Sequence, residues 1–195
     1  MPTGKRATSN IPDKLKDPRF LTGVFFLVAL VVSAHVKFET PIKALSISLQ
    51  TVVLGLACRF LKLSDALKVI GAYILLGALG FDVFSAVDEG IQFYSHRYAG
   101  FLLGFILSPF YFSRFKTVRD NCLQDLFFLF LGMHGLIILC GILRMEYPIY
   151  SASSISHALT ALAPAAILKS VLLALIIRGL HMIPGWSQFK KKLSR

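Results

Sequence analysis

The chain has 195 residues, 55% hydrophobic and 16% charged, with a mean hydropathy of +0.68 and a formal net charge of +11. Its apolar residues fall in long blocks, not in alternation or along one helical stripe, which argues against a soluble domain with a water-facing side. The basic residues gather at the ends of those blocks with no exposed aromatics between them, so the charge points to a lipid bilayer and not to nucleic acid.

Crossing the hydrocarbon layer takes a helix of about 20 mostly apolar residues. Six blocks qualify, at about 20–36, 44–61, 66–85, 98–115, 122–143 and 155–178. The connections are short and no linker or soluble insert interrupts them. The expected architecture is all-α: a polytopic membrane protein forming one domain over 1–195, a compact bundle of six transmembrane helices. A basic lead of about 1–19 precedes it and a basic tail of about 179–195 follows.

The first block could be mistaken for a cleaved signal, since Val32 to Ala34 read as a cleavage site. The polar lead before it is long for a signal n-region, so a retained helix is expected. Lysine and arginine then set the orientation. Sixteen fall on one side, from Lys5, Arg6, Lys14, Lys16 and Arg19 through Arg59, Lys62, Lys68, Arg114, Lys116 and Arg119 to Arg178, Lys190, Lys191, Lys192 and Arg195. The other side has four: Lys37, Lys43, Arg97 and Arg144. Both termini are therefore expected in the cytoplasm, with loops near 37–43, 86–97 and 144–154 outside. Trp186 and Phe189 beside Lys190 to Lys192 suit an anchor at the headgroups.

Cys58, Cys122 and Cys140 share no CxxC spacing, and His35, His96, His134, His157 and His181 form no HxxxH or HExxH pair. The cysteines read as apolar fillers, the histidines as interfacial or packing residues. No serine and histidine arrangement, no paired carboxylates and no G-x-x-x-x-G-K-[ST] loop suggests catalysis or ATP binding. The chain is therefore not expected to be an enzyme, and no cofactor is indicated.

The middle of the chain is more specific. "LSISLQTVVLGLACRFL" at 45–61, "AYILLGALGFDVFSA" at 72–86, "AGFLLGFIL" at 99–107 and "APAAILKSVLLALI" at 163–176 resemble the signature stretches of the BioY family. That family comprises the biotin-binding S components of energy-coupling factor (ECF) vitamin transporters. Gln50 stands where the family pattern has a glutamine, and Tyr73, Gly77, Gly80, Val83 and Phe84 match its third span. Gly100, Phe101, Gly104 and Phe105 match a Gly-Tyr-x-x-Gly-Phe pattern with phenylalanine for tyrosine. Pro164 and Lys169 match in the last span, where Ala165 and Ala166 replace a glycine and an aspartate, and Asp82 stands in place of a proline.

The resemblance implies capture of biotin from outside and delivery inward across a bacterial cytoplasmic (inner) membrane. The implied partners are an ECF T subunit, faced by Ala29 and Ser33 of the first span, and ATP-binding subunits. The alternatives are an S component for another vitamin, or a structural membrane subunit with no small-molecule ligand.

Lys169 is the twenty-first cation and belongs to neither surface. A lysine at the centre of a membrane helix is unfavourable by roughly 2.5–3.5 kcal/mol on translocon-based scales. Its side chain leans toward the helix N-terminus, so the ammonium is expected over Ala165 and Ala166 at the floor of a small outward-opening chamber. Lys169 is expected to reach the ureido oxygen or the carboxylate of biotin, Gln50 the ureido N–H groups and Tyr73 a further hydrogen bond. Phe84 and Phe101 would pack on the rings. Asp82 is the carboxylate nearest this chamber in the outer half, about 12 Å from Lys169 in depth by helical rise. The competing reading is a structural lysine, neutral by desolvation or tied to a backbone carbonyl.

Overall fold

The computed structural model describes residues 17–39, 46–84, 99–115, 117–145, 152–186 and 188. Among them are six α-helices and one two-stranded antiparallel hairpin. Helix α1 is Pro18–His35, β1 is Lys37–Glu39, β2 is Ser46–Ser48, α2 is Gln50–Phe60 and α3 is Leu63–Ala78. Helices α4, α5 and α6 are Ala99–Arg114, Leu123–Met145 and Ala152–His181. The lead before Asp17, the loops 86–97 and 146–151 and most of the basic tail lie outside the described residues.

Local chemistry sets several of these boundaries. Asp17 caps α1, accepting from the Arg19 N–H at 2.9 Å, with Pro18 in the first turn where its missing N–H is harmless. Helix α3 stops at Gly80, which adopts φ +91°. The Gly80 and Phe81 N–H groups then turn back to the carbonyls of Gly77 and Leu76.

Helices α1, α5 and α6 are long and apolar enough to cross a membrane. The sequence expectation of a full helix over 44–61 is corrected. Residues 46–48 form β2, paired Lys37↔Ser48, Phe38↔Ile47 and Glu39↔Ser46, and only 11 residues remain for α2. At 1.5 Å per residue α2 is about 16 Å long, roughly half the thickness of a hydrocarbon core.

The core gathers around α5. It packs most extensively against α4 and α6, and its buried Leu126, Leu129, Phe130, Met133 and Ile137 meet Leu173, Ala174 and Ile177 of α6 in one apolar cluster. Glycine brings α4 close, since a Cβ at Gly104 would lie 2.7 Å from Ile137 Cα, as a G-x-x-x-G face requires. Ser33 of α1 is buried inside the bundle with its hydroxyl on the Leu30 carbonyl, so it does not face outward for a T subunit.

The end of the bundle that holds the α2 C-terminus is tied by charge. Arg59 donates to the Asp120 carboxylate, including 2.9 Å from Nε, and its Nη2 donates to the Val118 carbonyl at 2.8 Å. The two side chains are 8% and 12% exposed, so Arg59 is no solvated surface charge. Arg178 donates to the Asn121 carbonyl at 2.6 Å, and the Trp186 ring stands edge-on to Phe60. At the opposite end the hairpin follows α1, and the Leu49 N–H reaches the Val36 carbonyl.

Candidate ligand site at the break of α2

Two polar clusters meet in the first turn of α2, on adjacent residues. In one, the buried Gln50 donates through Nε2 to the Tyr73 hydroxyl oxygen, and the Tyr73 O–H donates to the Val83 carbonyl at 2.5 Å. Tyr73 is fully enclosed, and the Phe84 ring stands edge-on to it at 5.5 Å. Phe84 is itself buried across Gly77, where a Cβ would fall on its ring. Gln50 is only 5% exposed, yet its Oε1 and second N–H have no partner among the described residues. An unmet buried amide of this kind is unfavourable by about 1–3 kcal/mol.

The other cluster surrounds the lysine. Lys169, half-buried on α6, donates from Nζ to Thr51 Oγ1 at 3.1 Å. Thr51 is in turn 3.2 Å from His134 Nε2 on α5. His134 Nδ1 is 2.8 Å from the Phe130 carbonyl and 3.0 Å from Ser170 Oγ, whose own proton goes to the Ala166 carbonyl at 2.7 Å. Among the described residues Lys169 has no carboxylate partner.

The level of this cluster is fixed by α5, because His134 lies eleven residues from either end of Leu123–Met145. Helix α2 therefore begins level with the middle of α5 and runs only to the Arg59 end. No side chain caps its start, where Leu49 occupies the cap position. The positive end of its dipole faces the same level as the lysine ammonium, which makes the junction attractive to an electron-rich oxygen.

The other expected residues divide. Ala165 and Ala166 are buried beside the lysine on α6. Phe101 is half-buried and its ring covers Gly141 of α5. Asp82 is exposed and pairs with His35 Nε2 at 3.3 Å. No Asp82–Lys169 ion pair forms among the described residues.

The sequence model of the BioY family matches residues 9–184. The chain belongs to the BioY family. It is 24% identical over 147 residues to the "Probable biotin transporter BioY" of Rickettsia prowazekii (strain Madrid E), covering 75% of this chain and 74% of that one. It is 32% identical over 81 residues to "Biotin transporter BioY2" of Lactococcus lactis subsp. cremoris (strain MG1363), covering 42% and 44%. Its fold is similar to the crystal structure of the S-component for biotin from an ECF-type ABC transporter, with a TM-score of 0.73 and 18% identity over 94% of this chain and 99% of that one.

In this BioY-family chain the candidates Lys169, Gln50 and Tyr73 lie around the first turn of α2, Gln50 bonded to Tyr73 and Lys169 to the adjacent Thr51. Sequence reasoning missed Thr51, His134 and Ser170. The signal for His134 was the same one that singled out Lys169: a polar group midway along an apolar helix is unfavourable unless a partner meets it.

Proposed function

We propose that this chain is the substrate-binding S component of a biotin uptake system, capturing biotin from outside and delivering it to the cytoplasm. The observation that carries the reading is the Lys169 ammonium, held on the first turn of a broken helix with no carboxylate partner among the described residues. Non-helical backbone at membrane depth is tolerated where it is buried in protein or lines a water-filled cavity, and half-helix N-termini commonly face substrate in transporters.

Biotin offers a polar ureido edge, an apolar thiophane and an aliphatic chain ending in carboxylate. Lys169 donates to one of its oxygens, and the spare Gln50 Oε1 accepts from a ureido N–H. Tyr73 holds Gln50 in place. Phe84 packs at the same wall, with Ala165 and Ala166 leaving space beside the ammonium. Membership of the BioY family and the names of its relatives support biotin over another vitamin.

In this reading all six helices are embedded in the bacterial cytoplasmic membrane, α2 as a half-length helix completed by the hairpin, and both termini face the cytoplasm. The sixteen-to-four distribution of basic residues supports that orientation. An ECF T subunit and ATP-binding subunits supply the energy for release, and the chain itself performs no catalysis. Labelled biotin should bind the purified protein and resist competition by thiamine and riboflavin. Equal displacement by either vitamin would reject biotin as the ligand.

A further inference from the structure

His134 is a buried, doubly engaged side chain for which ligand contact offers no role. Its hydrogen bonds have one consistent direction. A carbonyl only accepts, so the Nδ1 that faces the Phe130 carbonyl carries a proton, and Ser170 Oγ shares it because the Ser170 proton is committed to Ala166. Nε2 is then the acceptor in the single-proton ring, and the Thr51 hydroxyl donates to it. An ammonium only donates, so the Thr51 oxygen accepts from Lys169. The chain of donors runs Lys169, Thr51, His134, Phe130 carbonyl, linking α6, α2 and α5.

We propose that His134 is a positioning residue for the ligand-binding lysine: by taking the Thr51 proton it turns the Thr51 lone pair toward Lys169 and holds the ammonium on α2, with two N–H donors left for the ligand. The proposal rests on the reading of Lys169 as a ligand-binding group. Without His134 the Thr51 hydroxyl is free to rotate and donate elsewhere. The lysine, on a four-carbon stem, must then be ordered when ligand binds, which weakens binding about five- to tenfold. A ring flip does not rescue the arrangement, because it sets carbon atoms against the Phe130 carbonyl and Thr51.

The test is a double-mutant cycle on labelled-biotin affinity, using the purified full chain as wild type, His134→Phe, Lys169→Met and the double variant. His134→Phe should bind about five- to tenfold more weakly, and adding it to Lys169→Met should cause no further loss. His134→Gln, which offers Thr51 an amide oxygen, should recover most of the affinity. Equal losses in both backgrounds would show that His134 acts through packing and overturn the proposal, as would wild-type affinity for His134→Phe. Wild-type affinity for Lys169→Met would reject the underlying reading of the lysine, an outcome visible without any His134 variant. If His134→Phe does not insert, His134→Leu, which likewise offers Thr51 no acceptor, enters the same cycle with the same deciding outcomes.

Discussion

Lys169 Nζ lies 3.1 Å from Thr51 Oγ1, joining the middle of the last helix to the first turn of α2. The ammonium and the positive end of a helix dipole thus face each other level with the middle of α5. Neither relieves the other, and a hydroxyl carries no compensating charge. An incoming oxygen acceptor satisfies both at once, which gives ligand binding at this junction an electrostatic reason independent of any fit to the rest of the molecule.

Lys169→Met keeps the side-chain length and removes the charge. Loss of a charge-assisted hydrogen bond in a desolvated site should weaken biotin binding by roughly 1.5–3 kcal/mol, about ten- to a hundredfold. Insertion should be unaffected and the unliganded protein slightly more stable, because an unpaired buried cation is removed. Binding titrations and thermal melts on the same preparation would check both. A destabilised protein with normal affinity would mark the lysine as structural.

Gly77 allows Phe84 to lie against α3, where the ring meets Tyr73 at 5.5 Å. Gly77→Ala places a Cβ on that ring and should expel Phe84, with an overpacking penalty of about 1–3 kcal/mol. Since Val83 holds the Tyr73 hydroxyl from the adjacent position, biotin affinity should fall together with stability. Gly71→Ala is the control, because nothing lies within 4 Å of a Cβ there. The control variant should match the wild type in both measurements.

The long helices were readable because hydrophobic length is a local property: α1, α5 and α6 follow from their own composition. The break at α2 was not. The run at 44–61 is apolar enough for a helix, and the competing signal was only the alternation Ser46-Ile47-Ser48, whose strand needs a partner at 37–39. Lys169 stood out because a charge in such a helix is rare. His134 carries the same signal more weakly, because a neutral ring is less unfavourable there than a charge, and its partners Thr51 and Ser170 are 83 and 36 residues away in sequence.

Arg59 and Asp120 form an ion pair almost closed to solvent, and the Arg59 fork also holds the Val118 carbonyl. Replacing Asp120 leaves the buried Arg59 guanidinium without the carboxylate it faces. Asp120→Asn alone should destabilise the protein by roughly 3–5 kcal/mol, and Arg59→Met alone should also destabilise it. The double variant should recover much of that loss, less the Val118 bond. Thermal melts in detergent would detect the recovery, and strictly additive losses would rule out a dominant pairwise interaction.

Orientation is open to direct chemical test. With the basic residues at helix ends on the cytoplasmic side, a cysteine introduced at Gln188 in a cysteine-free background should react with a membrane-impermeant thiol reagent only after the cells are opened. A cysteine in the 86–97 loop should react in intact cells. Labelling of position 188 from outside would reverse the proposed topology.

Gln50 separates a ligand group from a purely structural amide. Its Nε2 engages Tyr73, while Oε1 and the second N–H are unmet among the described residues. Gln50→Met keeps the length and removes these polar atoms, so it gives up one hydrogen bond but also relieves the desolvation of a carbonyl with no partner. With the two effects near 1 kcal/mol each, the stability of the unliganded protein should stay within about 1 kcal/mol of wild type. Biotin affinity should nevertheless fall about five- to tenfold, since the ureido N–H groups lose their acceptor. The stabilisation produced by saturating biotin should shrink accordingly, because ligand stabilisation follows the ratio of concentration to dissociation constant. A purely structural glutamine would give the opposite pattern: a lower melting temperature without ligand, and an undiminished shift when biotin is added.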